Sequence, residues 1–393
     1  MYIAPGNGGT TSLGNNIDIK VDDIDSLCNI AKELKIDLAV IGPEVPLEKG
    51  IVDEFEKHNI AIFGPTRSAA RIESSKVFAK HLMHKYGIPC AASESFSDYE
   101  EALKYLRSQR FPIVIKADGL AAGKGVIVSQ TKTEAEQVLN DIMNQKIFGM
   151  AGNKVVIEEF LSGKEVSLLS FTDGKTVLPM VPACDYKRAW DNDIGLNTGG
   201  MGSYSPPHFF DRSMLISVTD NIIKPTVKAM ADENALYKGV LYTGLMLTEK
   251  GPKVLEYNAR FGDPETQVIL PRLKTDLVDI MQAVVEDRLD GTDLDWNKNV
   301  CVGVVMASGG YPQKYQTGYT ISGLENIDSD ILVFHAGTKR EKDNSVTTTG
   351  GRVLTVTGTA SNIAEARKKV YRNIDRIEFR DCHYRTDIAL REV

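Results

Sequence analysis

The amino-acid sequence predicts a multidomain protein that combines α/β and α+β architecture. Its 393 residues exceed what one ordinary hydrophobic core supports, so two to four domains are expected. Strand-like and helix-like segments alternate near the N-terminus, and this order predicts a parallel sheet. Further along the chain, two short β-branched runs flank a glycine-rich loop, which predicts a strand, a flap and a returning strand in a smaller α+β unit.

Composition and charge narrow the class of protein. With 42% hydrophobic and 25% charged residues, the chain is typical of soluble globular proteins. A net charge of -7 without any lysine-arginine block argues against nucleic acid as a partner. Neither a membrane-spanning stretch nor a signal-peptide pattern is present, so no membrane partner is expected. The five cysteines are scattered, which favours the reducing cytoplasm over a disulfide framework or a zinc site.

The predicted domains differ in how their elements are ordered. We expect an N-terminal parallel α/β domain over residues 1–70, a second domain over 71–292 with a small lid at about 98–162, and a C-terminal α+β domain over 293–393. Periodicity predicts helices at 24–34, 71–86, 99–110, 134–145, 215–233 and 363–377. Residues 185–202 have little periodicity, and long irregular segments in compact domains usually serve function.

Two Gly-Pro turns follow the predicted strands of the N-terminal domain, at 37–41 and 61–63. Ligands of parallel sheets bind at the carboxyl ends of the strands. Glu44, directly after the first turn, is therefore a candidate site residue. A solvated turn glutamate is an equally good interpretation of that position.

The glycine-rich loop lies between the predicted strands 113–115 and 126–128. Its glycines at 119, 123 and 125 let the backbone approach a ligand closely, while Lys116 and Lys124 add charge-assisted donors. This combination favours a polyphosphate ligand. A Walker loop is excluded, because three rather than four residues separate Gly119 from Gly123 and a strand follows the loop. A purely structural hairpin is the alternative.

A second candidate site follows the predicted strand 253–257. Glu256 and Asn258 are two residues apart in an extended segment, so both side chains point to the same face. Two hard oxygen ligands beside a polyphosphate suit Mg²⁺, which shares phosphate oxygens and keeps waters. Arg260 continues the alternation and could bind a phosphate or a carboxylate. The polar face of an edge strand is the alternative interpretation.

Three motifs together resemble the phosphoribosylamine-glycine ligase family, which are ATP-grasp enzymes of purine biosynthesis. They are Ile-Lys-Ala-Asp-Gly-Leu-Ala-Ala-Gly-Lys-Gly-Val from 115, Asn-Thr-Gly-Gly-Met-Gly from 197 and Leu-Glu-Tyr-Asn-Ala-Arg-Phe-Gly-Asp-Pro-Glu from 255. Shorter matches at 4–10, 42–44 and 349–352 extend the resemblance over nearly the whole chain. It implies an ATP-grasp fold between a parallel-sheet domain and a small C-terminal α+β domain.

The reaction that the resemblance implies joins glycine to 5-phosphoribosylamine. ATP phosphorylates the glycine carboxylate, and the amine then attacks the acyl phosphate to give glycinamide ribonucleotide, ADP and phosphate. The cofactors implied are ATP and Mg²⁺ or Mn²⁺, and the partners are these small-molecule substrates. A monomer is expected. No nucleophilic side chain is needed, since positioning and electrostatic stabilisation carry such chemistry.

The resemblance also implies roles for residues in this sequence. Lys76 and Lys116 would contact the ATP phosphates and the loop with Gly119, Gly123, Lys124 and Gly125 would close over them. Backbone groups near Glu159 to Leu161 would hold adenine, with Glu158, Glu159, Phe160 and Leu161 as the candidate residues. Glu165 would hold the ribose, and Glu256 and Asn258 the metal. The candidates for binding the glycine carboxylate and the phosphoryl group in transfer are Arg260, Lys116, Gly199, Gly200 and Gly202. The remaining substrate candidates are Asn7, Gly8, Glu44, Asp185, Lys187 and Asp263.

Two departures from the family pattern leave alternative functions open. Many ATP-grasp enzymes carry another metal carboxylate about a dozen residues before the Glu-x-Asn pair, where this chain has Tyr242-Thr243-Gly244. In addition, Met1 stands where a first βα unit would end, so a truncated N-terminal domain with weakened phosphoribosylamine binding is expected. The alternatives are therefore another ATP-grasp carboxylate-amine ligase or a truncated nucleotide-binding relative with impaired turnover. A Rossmann dehydrogenase is disfavoured, because no G-x-G-x-x-G opens a helix.

Overall fold

The N-terminal part of the chain combines short parallel strands with helices. The computed structural model describes residues 1–120 and 125–393. Strands β3 and β4 pair in parallel, with Ala39 opposite Ile62, which confirms the parallel arrangement predicted from element order. The elements of this region are β1 (Tyr2–Ile3), β2 (Asn15–Asn16), α1 (Ile24–Glu33), β3 (Ala39–Val40), α2 (Glu44–Lys49), α3 (Ile51–Lys57), β4 (Ile62–Phe63) and α4 (Arg67–Ser74).

The single helix predicted over 71–86 is wrong, because two helices meet there. Helix α4 ends at Ser74 and α5 spans Lys76–Lys85. Ser75 between them is extended, at φ -129° and ψ 106°, and its hydroxyl accepts a hydrogen bond from the Phe78 amide. A serine in this conformation caps a new helix N-terminus. The break places Lys76 in the first turn of α5.

The lid is an antiparallel sheet covered by two helices. Its elements are β5 (Ser93–Phe96), α6 (Tyr99–Arg107), β6 (Ile113–Ala117), β7 (Val126–Ser129), α7 (Lys132–Met143) and β8 (Val155–Glu159). The strand order is β5-β8-β6-β7, and the register of β6 against β7 confirms the predicted hairpin. Leu106, Ile115 and Leu139 are among the residues of its separate apolar core. Strand β5 begins before residue 98, the predicted start of the lid.

The larger sheet of the middle region has the order β10-β9-β15-β16 and is antiparallel throughout. Two helical segments flank it, and α8 continues through a π-helical turn at Thr219–Ile223 into α9. The elements are β9 (Lys164–Thr172), β10 (Val177–Pro179), β11 (Cys184–Asp185), β12 (Arg188–Trp190), β13 (Ile194–Asn197), β14 (Gly202–Ser205), α8 (Arg212–Val218), α9 (Lys224–Asp232), β15 (Gly239–Thr248), β16 (Gly251–Asn258), α10 (Thr266–Ile269) and α11 (Leu277–Val285).

The C-terminal sheet takes two of its strands from the middle of the chain. Its order is β11-β14-β17-β22-β19, so the segment around 185–205 joins the C-terminal strands directly. The remaining elements are β17 (Val300–Ala307), β18 (Thr320–Ile321), β19 (Ile331–His335), β20 (Thr338–Arg340), β21 (Val346–Thr348), β22 (Arg352–Ala360) and α12 (Ile363–Ile374). The loop at 198–201 therefore lies between the middle and C-terminal sheets.

Each of the five cysteines is a free thiol. Among the residues that the structure describes, no helix combines the length and the apolar character needed to cross a membrane.

Candidate active site

A cleft of about 1280 Å³ lies between the lid, the middle sheet and the two terminal regions. Each of these parts contributes side chains to its lining. Strand β16, the β8–β9 connection and the loop before β14 all border the same opening. Most predicted site residues meet here. Those that line the cleft are Glu44, Lys76, Lys116, Gly125, Glu158, Glu159, Phe160, Leu161, Glu165, Asp185, Lys187, Gly199, Glu256, Asn258, Arg260 and Asp263.

Lys116 is part of a buried cluster of two cations and one anion. Its Nζ lies 2.5 Å from Oε1 of Glu158 and donates to the carbonyl oxygen of Leu255 at 3.0 Å. Lys80, on α5, places its Nζ 2.5 Å from Oε2 of the same carboxylate. The exposed fractions of the three side chains lie between 3% and 6%. The cluster carries a net positive charge next to the cleft, which favours an anionic ligand.

Both oxygens of Glu158 are thus occupied by lysines in this structure. The adenine contact is predicted for backbone groups near Glu159 to Leu161, and these side-chain contacts do not test it. The Glu159 carboxylate also has partners within the protein: its Oε1 accepts from the Ala92 amide at 3.0 Å and lies 2.8 Å from Lys253 Nζ. The apolar wall of this part of the cleft comes from Leu161 and Met246. Such a wall suits the flat face of a base.

Lys76 connects the start of α5 to the glycine-rich loop. Its Nζ donates to the Gly119 carbonyl oxygen at 2.9 Å. The neighbouring Asp118 carboxylate accepts hydrogen bonds from the Val77 amide and the Ser75 hydroxyl, both at 3.1 Å. These contacts tie the helix N-terminus to the first part of the loop. The predicted phosphate contacts Gly123 and Lys124 lie outside the described residues.

Glu165, Asp185 and Lys187 form a charged group on the cleft wall. Lys187 Nζ donates to Glu165 Oε2 at 2.7 Å. Burial raises the pKa of Asp185 to about 7, against the opposing effect of Lys187. Burial acts to lower the pKa of Lys187, but Asp185 and Glu165 raise it well above its ordinary value. Lys187 is therefore a stable cation in this wall.

Glu256 and Asn258 both reach the cleft from β16, as their spacing predicted. Burial opposes ionisation of Glu256, but nearby ammonium groups lower the pKa of its carboxyl below the usual value. An anionic carboxylate and an amide oxygen side by side fit Mg²⁺ bound together with phosphate oxygens and water. In residues 1–120 and 125–393, no cluster of three or more His, Cys, Asp or Glu side chains could hold a metal alone. These two residues are thus ligands suited to a metal that arrives with a nucleotide.

Arg260 joins the N-terminal domain to the end of β16. Its Nε donates to Glu44 Oε2 at 2.8 Å, and its second terminal nitrogen lies 3.1 Å from Glu73 Oε1. Glu73 is only 9% exposed and also accepts from the Ala259 amide at 2.6 Å. Burial raises the pKa of Glu73 to about 7, although Arg260 opposes this shift. The Arg260 guanidinium is therefore held by two carboxylates.

The loop before β14 places the predicted glycines differently. Gly199 lines the cleft, whereas Gly200 and Gly202 do not. Gly200 is buried, and its amide donates to the Thr198 hydroxyl at 2.9 Å. Gly202 is the first residue of β14, and its carbonyl oxygen accepts from the Tyr186 amide. In this conformation their backbone groups serve the loop and the sheet.

Asn7 and Gly8 are also absent from the cleft lining. The Asn7 side chain donates to the His335 carbonyl oxygen at 2.7 Å, and the Gly8 amide donates to the carbonyl oxygen of Thr338 at 3.1 Å. These contacts attach the N-terminal turn to the C-terminal region. The structure does not bring the two residues to the other predicted substrate contacts.

Four residues near the site were missed at the sequence level. Lys80 had a usable signal, because it follows Lys76 by one helical turn and so shares its face. Arg352 ends the family match at 349–352, but that match gave it no role. Glu73 and Tyr311 had no signal that pointed to the cleft. Their partners are distant in sequence, and only the tertiary fold brings them together.

The fold and the paired lysine and Glu-x-Asn sites define a protein of the ATP-grasp class. Three family models match the chain: phosphoribosylglycinamide synthetase N domain at residues 1–73, its ATP-grasp (A) domain at 74–266 and its C domain at 301–391. The chain belongs to the phosphoribosylamine-glycine ligase family.

Similar proteins cover nearly the full length. The phosphoribosylamine-glycine ligase of Halalkalibacterium halodurans is 50% identical over 100% of this chain and 91% of its own length. That of Escherichia coli K12 is 48% identical, over 100% and 92%. A crystal structure of the Thermotoga maritima enzyme has a TM-score of 0.86 at 34% identity, covering 99% of this chain and 93% of that one. Biotin carboxylase from Campylobacter jejuni, at 16% identity and a TM-score of 0.75 over 94% and 81% of the chains, shares the fold.

Proposed function

We propose that this chain joins glycine to 5-phosphoribosylamine at the expense of ATP, giving glycinamide ribonucleotide, ADP and phosphate. Membership of the ligase family over the full chain supports this activity. The observation that carries the proposal is the meeting of Lys76, Lys116 and Glu256 in one cleft, with Arg260 beside them. This arrangement offers cations to a triphosphate and a carboxylate ligand to its metal.

In the first step, an oxygen of the glycine carboxylate attacks the γ-phosphorus of ATP. A new O–P bond forms as the bond to the bridging β–γ oxygen breaks, and ADP leaves. Lys76 and Lys116 stabilise the phosphate charges, and Arg260 orients an anionic group beside them. Glu256 and Asn258 would hold Mg²⁺ or Mn²⁺, which neutralises phosphate charge when bound.

In the second step, the amine of phosphoribosylamine attacks the carbonyl carbon of glycyl phosphate. The C–N bond forms, the C–O bond to phosphate breaks, and the amine gives up a proton. Lid closure would protect the acyl phosphate from water during this interval. Glu44, Lys187 and Asp263 also line the cleft and remain candidates for binding the two acceptor substrates.

The setting of this activity is also a proposal. Five free thiols without a pattern of pairing favour a reducing cytoplasm. We propose a monomer that acts on small molecules alone. Sedimentation across a range of protein concentrations tests that state, and a stable higher mass would contradict it.

The activity is tested by ADP production with Mg-ATP and glycine, with and without phosphoribosylamine generated in situ. Release of ADP that depends on both substrates, together with glycinamide ribonucleotide detected by mass spectrometry, is the expected result. Lys116→Ala protein purified in the same way controls for contaminating ATPases. ADP release with another amino acid in place of glycine would indicate a different carboxylate-amine ligase. Nucleotide binding without any ADP release would reduce the chain to a nucleotide-binding relative.

A further inference from the structure

Both polar backbone groups of Gly199 are held by the C-terminal region. The Gly199 amide donates to the Tyr311 hydroxyl at 3.0 Å. The Gly199 carbonyl oxygen accepts from a terminal nitrogen of Arg352 at 2.7 Å. Tyr311 lies in the loop after β17 and Arg352 begins β22, whereas Gly199 lies in the connection between β13 and β14. Two C-terminal side chains thus grip one exposed glycine on the cleft wall.

Arg352 also holds a second loop of the cleft. Its two terminal nitrogens lie 3.3 Å and 2.7 Å from the two carboxylate oxygens of Asp263, and one of them donates to the Asp263 carbonyl oxygen at 3.1 Å. A bidentate arginine-carboxylate pair fixes both distance and orientation. One guanidinium therefore sets the spacing between the Gly199 loop and the Asp263 turn.

Tyr311 and Arg352 are coupled through the residue that precedes the arginine. A Cβ on Gly351 would lie 2.3 Å from Cδ2 of the Tyr311 ring, a distance that side chains do not tolerate. Glycine at this position lets the ring pack directly on the backbone that leads into Arg352. The turn at 308–312 and the Thr-Gly-Gly-Arg segment at 349–352 therefore pack against each other as one unit.

We propose that Tyr311 and Arg352 are positioning residues for glycine activation, which hold the Gly199 loop and the Asp263 turn at the separation that the reaction needs. The inference rests on the proposed function, because it assumes that these loops face the glycine end of the site. By this proposal, the C-terminal region contributes positioning residues to the active site.

The nucleotide end of the cleft is anchored independently of this pair. Lys76 and Lys116 are held by Gly119, Glu158 and Leu255, none of which contacts Tyr311 or Arg352 through a hydrogen bond in the described structure. Loss of the hydrogen bonds from Tyr311 and Arg352 is therefore expected to change kcat/KM for glycine and to leave ATP binding unchanged. A general loosening of the fold would affect both.

The test compares four variants of the full chain by steady-state kinetics. Tyr311→Phe keeps the ring and removes one neutral hydrogen bond, so kcat/KM for glycine should fall by about two- to tenfold. Arg352→Met removes charged hydrogen bonds and should lower it by about ten- to a hundredfold. Arg352→Lys should recover part of the loss, because lysine keeps the charge without the bidentate fork. Tyr315→Phe, a half-exposed neighbour whose ring centroid is 6.1 Å from that of Tyr311, is the matched control.

Thermal unfolding and the KM for ATP are measured on the same samples. The proposal is supported if glycine kinetics change in the predicted order while KM for ATP and the Tm stay within error of the parent chain. It is overturned if Tyr311→Phe and Arg352→Met match Tyr315→Phe, or if ATP and glycine constants change together. A parent chain without ligase activity would instead contradict the proposed function, so the two failures are distinguishable.

Discussion

The Nζ atom of Lys80 lies 2.5 Å from Oε2 of Glu158, at a buried site on the wall of the cleft. Lys116 occupies the other oxygen of the same carboxylate. A buried carboxylate left without a partner is strongly destabilising. If Lys116 turns toward a bound phosphate, Lys80 keeps Glu158 paired. Lys80 therefore allows Lys116 to leave Glu158 without the free-energy penalty of an unpaired buried carboxylate.

Lys80→Met should weaken ATP binding without removing a direct phosphate contact. In this variant Lys116 is the one remaining partner of Glu158 among the residues that the structure describes, so moving it to a phosphate leaves that buried anion unpaired. We expect the Kd for Mg-ATP to rise by about tenfold or more. Calorimetric titration of the parent chain and the variant provides the measurement.

Lys85→Met is the matched control for that experiment. Lys85 ends the same helix, its side chain is 51% exposed, and it pairs with Glu233 away from the cleft. Surface ion pairs contribute little, so its Kd should stay close to that of the parent chain. Equal affinities for Lys80→Met and Lys85→Met would show that the Lys80–Glu158 contact has no part in nucleotide binding.

Glu256→Gln should raise the concentration of Mg²⁺ needed for half-maximal activity. The substitution keeps the shape of the side chain but removes the anionic charge that favours a hard cation. A shift of about tenfold is expected at fixed ATP, measured by titrating free Mg²⁺ in the ADP assay. Glu249→Gln, at the exposed turn between β15 and β16, tests whether any glutamate of this hairpin has the same effect. Identical Mg²⁺ curves for the parent chain and Glu256→Gln would remove Glu256 from the metal site.

Glu73 should make the stability of the fold depend on pH. Its pKa is raised by burial from 4.5 to about 7, so between these values the folded state binds more protons than the unfolded state. The free energy of unfolding therefore falls as pH rises through this window, and the penalty is complete above it. Its size is on the order of 3 kcal/mol.

Urea unfolding from pH 5 to pH 8 tests the Glu73 prediction. Glu73→Gln cannot titrate, so its stability relative to the parent chain should improve steadily with rising pH. Glu33→Gln, an exposed glutamate on α1, should keep a constant difference from the parent chain. A parallel pair of curves for the parent chain and Glu73→Gln would mean that Glu73 stays ionised throughout.

Local features of the site could be predicted from the sequence. The hairpin of β6 and β7 follows from two short β-branched runs around a glycine-rich loop, and the shared face of Glu256 and Asn258 follows from alternation along a strand. Both features are present. The family motifs also identified the class of protein correctly. These signals depend on short-range geometry, which sequence periodicity records directly.

Long-range features of the site could not be predicted in the same way. Periodicity favoured one helix across Ser75, because a capping serine is also tolerated on a helix surface; its contact with Asp118 depends on the fold. Glu73 meets Arg260, and Gly199 meets Arg352, across more than 150 positions of the chain. No local pattern records such pairs. They arise when the sheets pack together around the cleft.

Gly200→Ala should impair the proposed ligation more than it destabilises the fold. Gly200 has a φ of +108°, and a Cβ there would lie 2.3 Å from Cδ of Pro264, so the loop must move away from the Asp263 turn. We expect kcat to fall by about tenfold or more, since small displacements of substrate-positioning groups are costly. Gly291→Ala is the control, because a Cβ there meets no atom of residues 1–120 or 125–393 within 4 Å and the backbone is unstrained. Unchanged kcat in Gly200→Ala, with Tm lowered, would assign Gly200 a structural role only.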